Sequence, residues 1–183
     1  MITERQEVAL TGKGDCLEHY HLVDRGPFPI VHGAFYDTTS QTAASTTTAY
    51  PVTFDTTLLS AGIEVVSNSQ LTVRTDGIFN IQVSLQLRNT DAVDHDVDTW
   101  LVVEGTNVVG SNRVVMAPAQ HGGLDGRTLV TWNQLQRLGR GEYVQIMWRT
   151  INTSVSIAAY ATQTTPDRPT TPSAIVTMDR VSI

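Results

Sequence analysis

Cysteine is almost missing from this chain. Cys16 stands alone, so no intrachain disulfide can staple the fold and stability must come from a buried core. Lysine is as rare: Lys13 is the single one and every other basic residue is arginine, the side chain better suited to interfaces. Charged residues are 16% of the chain and the net charge is −6, which argues against nucleic-acid binding, since that needs a basic stripe. No apolar run is long enough to span a bilayer, and no charged, apolar and small succession of a secretion signal follows Met1. Membrane insertion is therefore not expected, and the chain reads as soluble. Heptads that would build a coiled-coil shaft are absent, as are internal repeats and helical periodicity of useful length.

What is present is alternation. Over residues 77–88, Phe79, Ile81, Val83, Leu85 and Leu87 fall on one side and Asn80, Gln82, Ser84, Gln86 and Arg88 on the other. A period of two over this length predicts a strand with one buried face. The opposite face is amide and hydroxyl rather than charge, which suits a subunit-facing surface better than bulk solvent. Asp76-Gly77 just before it reads as a turn pair supplying positive φ. Further short runs are predicted as strands at 31–36, 49–54, 63–66, 70–74, 97–104, 113–116, 128–135, 143–150, 155–161 and 175–183. Short strands at such spacing predict an all-β fold, a β-sandwich or jelly roll. Residues 1–32, broken by Gly-Lys-Gly and Pro-Phe-Pro, read as an irregular N-terminal arm, and residues 33–183 as one domain. The proline-rich stretch 164–172 is expected to stay out of the sheets as an extended, polyproline-like loop. Abundant Thr, Ser, Asn, Gln and Val is the composition of a β-rich virion or extracellular surface protein.

Two strands are apolar on both sides. Trp100-Leu101-Val102-Val103 has no polar face, and in residues 143–148 Tyr143 and Met147 flank Gln145 opposite Val144, Ile146 and Trp148. A sandwich strand needs one apolar face, so the second must be covered by the arm, a loop or another subunit. This predicts self-association.

Chemistry-bearing clusters are few. Asp94, Asp96 and Asp98 alternate within a run of carboxylates and could hold Ca²⁺, but Thr99 and Gly105 stand where an EF-hand needs Gly and Glu. The plainer reading is a solvated loop, and no metal is assigned. His19, His21, Asp24 and His32 have no fixed geometry for zinc. No nucleophile elbow, phosphate-binding loop or His-Glu-x-x-His occurs, so neither catalysis nor a cofactor is expected.

Taken together, several stretches form a familiar succession. They are Gly33-Ala34-Phe35-Tyr36-Asp37-Thr38-Thr39, Tyr50-Pro51-Val52-Thr53-Phe54-Asp55 and Thr75-Asp76-Gly77-Ile78-Phe79-Asn80-Ile81, then Trp100-Leu101-Val102-Val103-Glu104-Gly105-Thr106 and Leu138-Gly139-Arg140-Gly141-Glu142-Tyr143-Val144. This resembles the trimeric jelly-roll domains of the complement globular head and tumour necrosis factor superfamily. It is more similar still to the versions in virion proteins of tailed bacteriophages. The resemblance spans residues 33–183, without a collagen stalk or membrane anchor, and with a longer Pro/Thr loop before the last strand. It implies a homotrimer in which the strands of Gln82 and of Tyr143, Gln145 and Met147 share the sheet facing the three-fold axis. It also implies a non-enzymatic structural role at a virion surface, as a capsid decoration (cement) protein in contact with the major capsid protein or other virion proteins. Leu17, Tyr20, Leu22 and Phe28 would be the arm's apolar anchors, and a short arm without a shaft favours decoration. The alternatives are a tail-fibre or tail-knob tip that binds a host-surface glycan or other receptor, and a calcium-dependent carbohydrate-binding module built on residues 91–98.

Overall fold

The computed structural model describes residues 30–182. They form strands and turns only, with no helix. In chain order the strands are β1 (His32–Asp37), β2 (Gln41–Thr42), β3 (Tyr50–Pro51), β4 (Thr56–Ala61), β5 (Ile63–Val66), β6 (Gln70–Val73), β7 (Gly77–Asn89) and β8 (His95–Val103). They continue with β9 (Thr106–Asn107), β10 (Arg113–Ala117), β11 (Gly126–Leu138), β12 (Tyr143–Thr150), β13 (Val155–Ile157), β14 (Gln163–Thr164), β15 (Asp167–Arg168) and β16 (Ala174–Ser182).

Two antiparallel sheets pack face to face as a β-sandwich. In the first, β7 pairs along its whole length with β11, from Gly77↔Leu138 to Asn89↔Gly126. Its other edge pairs with β16 and, at the far end, with β13. Beyond β16 lie β1 and then β4. The second sheet runs β10-β8-β12-β6-β5, with β3 on β12 and β9 on β8. The alternation of 77–88 has the predicted outcome: Phe79, Ile81, Val83, Leu85 and Leu87 are buried, in one core with Val144, Ile146 and Trp148. Gly77 opens β7 where the chain end passes close by; a Cβ there would stand 2.6 Å from the Ser182 carbonyl oxygen. Its φ of 157° matches neither residue of a tight turn, so the glycine answers to close approach rather than to the turn expected at Asp76-Gly77.

Several details differ from the sequence reading. The strand expected over 49–54 shrinks to Tyr50–Pro51, although Val52 and Phe54 are still buried. The strand expected over 155–161 ends at Ile157. The edge strand β4 was not anticipated: five of its six residues are exposed, Leu58 and Leu59 among them, so no buried face printed a period of two. The proline-rich loop joins neither sheet, as expected, but it is not extended. Gln163–Thr164 pair with Asp167–Arg168 around a cis Thr165-Pro166 bond, and mutual backbone hydrogen bonds between Tyr160 and Thr171 clasp its neck. Val31 is buried under Gly62, and His32 begins β1, so both belong to the sandwich rather than to the arm. Of the rest of the arm, Ile30 is exposed and residues 1–29 lie outside the described residues.

Burial sets the energetic scale. Truncating a fully buried Leu to Ala costs about 2–5 kcal/mol, out of a total stability of about 5–15 kcal/mol for a domain. Leu85 is 0% exposed and Val109 is 97% exposed. Leu85→Ala is expected to lower the unfolding free energy by about 2–5 kcal/mol, and Val109→Ala by less than about 0.5 kcal/mol. Equal losses in denaturant titrations would contradict the assigned core.

Candidate functional site

The outer faces of the two sheets differ in chemistry. On the first sheet the register aligns Tyr36, Ile175, Ser84 and Thr131 in one cross-strand row, and Ala34, Thr177, Gln82 and Asn133 in the next. Neither row contains a charge. Leu129 sits across from Gln86 and Leu135 across from Asn80, both leucines more than half exposed. Charge returns at the two ends of the face, with His32 and Asp179 at one and Arg88 and Arg127 at the other. Between them lies a shallow depression of about 590 Å³ lined by Gln82, Ser84, Thr131, Asn133, Ile175 and Thr177. An uncharged strip this broad, bearing exposed Ile and Leu, is unusual for a face meeting only water.

Tyr143, Gln145 and Met147 do not share that face. They line the outward side of β12, in the second sheet, so the sandwich separates them from Gln82. The expectation that the two strands occupy one sheet is corrected. Alternation tells which side of a strand is buried, not which layer the strand joins. The outward side of β12 is half-buried throughout. Gln145 donates to Ser69 Oγ at 2.9 Å, and Met147 pairs with Trp100 on one side and Pro51 on the other. The doubly apolar run at 100–103 meets a loop: residues 106–112 fold back beside β8, where Trp100 Nε1 donates to Asn107 Oδ1 at 2.8 Å.

The carboxylates of 91–98 are dispersed. Asp94 accepts from the Ala119 backbone N–H at 2.6 Å, and Asp96 is exposed on β8. Asp98 accepts from Asn112 at 3.1 Å and from Arg149 at 3.4 Å. Among the described residues no three His, Cys, Asp or Glu side chains come together to hold a metal ion. His32 contacts the Ile30 carbonyl, while Cys16, His19, His21, Asp24 and the anchors Leu17, Tyr20, Leu22 and Phe28 fall outside the described residues. The resemblance-bearing residues near 33–39 turn out to be framework: Phe35 is core, and buried Asp37 accepts from Thr39 N–H, Thr39 Oγ1 and Thr53 Oγ1. Three donors satisfy a carboxylate that burial would otherwise penalise.

Sequence reading missed the surroundings of Trp100. Register places Arg149 across from Asp98, and the turn at Glu104-Gly105 returns Asn107 to the indole. No local signal marks either, because both arise from strand pairing.

Asp91 anchors the 90–95 loop. Hydrogen bonds from His95 at 2.8 Å and the Ala92 backbone at 2.7 Å outweigh desolvation, and with Asn152 they hold its carboxyl below the ordinary carboxylate value. A folded pKa below the unfolded one means a contribution present above the ordinary carboxylate range and lost as pH falls through the folded value. The melting temperature is therefore expected to drop on acidification through and below that range, and Asp91→Asn to flatten part of this acid limb. An unchanged slope in the variant would contradict the assignment.

The chain matches no protein-family model and no curated protein sequence.

Proposed function

We propose that this chain is a non-enzymatic structural protein that assembles as a homotrimer at a virion surface, with a jelly-roll sandwich as its building block. Connectivity supports the jelly roll. Taking β1, β6, β7, β8, β10, β11, β12 and β16 in chain order as 1 to 8, the sheets read 1-8-3-6 and 2-7-4-5. That is the order of two interleaved Greek keys.

The observation that carries self-association is the uncharged outer face of the first sheet, where Ile175 and Leu129 stand exposed between Gln82, Ser84, Thr131 and Asn133. Covering it with a second copy removes apolar surface from water without stranding a charge. A cyclic trimer meets this need through a heterologous contact, in which the face docks on a different patch of the next subunit. Gln82 belongs to this contact. The virion placement rests on the resemblance of residues 33–183 to phage proteins, and capsid decoration, with the major capsid protein as partner, is the form it takes.

Light scattering of the full chain is expected to give three times the 20.0 kDa chain mass. Ile175→Arg is expected to weaken association by at least about tenfold while leaving the fold intact. A monomer at micromolar concentration would overturn the assembly. In purified particles, hundreds of copies would support decoration, a handful of trimers would move the protein to a tail tip, and none would refute the virion reading. Deleting residues before Gly26 is expected to leave a folded trimer that no longer attaches; wild-type occupancy by the truncated protein would show that the arm is not the clamp.

A further inference from the structure

On the outer face of the second sheet, around Trp100, the structure carries a second built feature, and we infer that it is a binding site for a neutral hexopyranose, independent of calcium. It lies on the sheet opposite the uncharged face, and the two linings share no residue.

The site follows from strand register. Trp100 and Asp98 are two apart on β8 and share its outward face. Glu104 and Gly105 both have positive φ, 47° and 76°, which reverses the chain in a tight hairpin and sends β9 back along β8. Asn107 thereby reaches the indole, and the bond from Trp100 Nε1 to its side-chain oxygen, 2.8 Å long, fixes the ring plane. Ser111, fully buried, then locks the following loop: its Oγ accepts from the Leu101 backbone at 3.0 Å and donates to the Val108 carbonyl at 2.7 Å. Gly110, at φ 77°, lines the cleft and has open space where a Cβ would stand. From the other side β12 delivers Arg149, whose Nε donates to the Thr46 carbonyl at 2.9 Å and whose Nη1 donates to Asp98 at 3.4 Å. Asn112 donates to the other Asp98 oxygen at 3.1 Å. The result is an open cleft of about 440 Å³ with a half-buried indole beside an acid, two amides and a guanidinium.

That combination matches one ligand chemistry. A pyranose has a flat C–H face and an edge of adjacent hydroxyls that both donate and accept. The C–H face fits the indole, which otherwise spends apolar surface on water. The hydroxyls fit Asp98, an acceptor, next to Asn112 and Arg149, which are donors. Because these side chains already hold one another, little rotamer freedom is lost on binding. Anionic ligands are disfavoured: Asp98 faces the cleft, Asp96 lies on the same side of β8, and the positive charge of Arg149 is already paired with Asp98, while its remaining N–H groups can still donate to a hydroxyl. A divalent cation would meet Arg149 with a single carboxylate at hand. Three such sites on one trimer would turn weak single-site binding into useful avidity.

The test uses the full ¹⁵N-labelled chain, whose three tryptophans give three indole signals. The probes are the methyl glycosides of glucose, galactose, mannose and N-acetylglucosamine, with N-acetylneuraminic acid as the anionic comparison, all in the presence of a chelator. At least one neutral glycoside is expected to shift the Trp100 indole signal saturably, with a dissociation constant on the order of millimolar. The signal of buried Trp148 should stay in place and report an intact fold. Asp98→Asn and Trp100→Phe, read on the side-chain amides of Asn107 and Asn112, are each expected to weaken binding by about tenfold. The inference is overturned if no neutral glycoside moves the Trp100 signal at about 50 mM. It is also overturned if the acidic sugar binds more tightly than the neutral ones, or if both variants bind as the wild type does.

Discussion

Phe79, Ile81, Val83, Leu85 and Leu87 hang from one side of β7, each at most 3% exposed, while the backbone of that strand is hydrogen-bonded along both edges. The burial and the pairing constrain each other. A slip of one residue would turn all five side chains to the outside, so the core fixes the register with β11, β16 and β13. With that register set, the rows on the opposite face are set too. Gln82 must neighbour Thr177 and Asn133, and Ser84 must neighbour Ile175 and Thr131. The surface assigned to self-assembly is thus the reverse side of the core strand, and its composition could not vary freely without changing a strand that organises the whole first sheet.

The second sheet divides its labour differently. Val144, Ile146 and Trp148 of β12 enter the core, while its outward side is packed against polar and apolar neighbours of the same chain, with Arg149 beside Asp98 at one end. The uncharged middle rows of the first sheet and the Asp98–Arg149 pair of the second give the two outer faces different chemistry, and in the proposed assembly the first of them is the partner-facing one. The proposed ligand cleft and the proposed assembly surface share no residue.

How much of this could be read beforehand depended on whether a residue's role was local. The buried face of β7 was legible because alternation and burial are the same fact seen twice. The inward set of β12 was legible for the same reason. Strand β4 was not, since an edge strand with exposed Leu58 and Leu59 has no period to show. Layer membership was not legible either: nothing in Tyr143 to Trp148 says that this strand lies across the core from β7 rather than beside it. The cleft at Trp100 was the least legible part. Its members come from residues 98, 107, 112 and 149, which only the β8–β9 and β8–β12 registers bring together. Trp100 was visible as a tryptophan in a strand with Asp98 two residues before it, but nothing nearby in sequence announced Asn112 or Arg149.

The central claim is that a second copy covers the outer face of the first sheet. It is tested most directly by thiol protection in a Cys16→Ser background, which removes the single native cysteine. Gln82 is exposed in the isolated chain, as is Val109. Gln82→Cys and Val109→Cys would therefore label at similar rates in a monomer. The account predicts that the thiol introduced at 82 reacts at least about tenfold more slowly than the one at 109 at micromolar concentration, with the difference vanishing on dilution to monomer. Equal rates for the two thiols in the undiluted protein would contradict it.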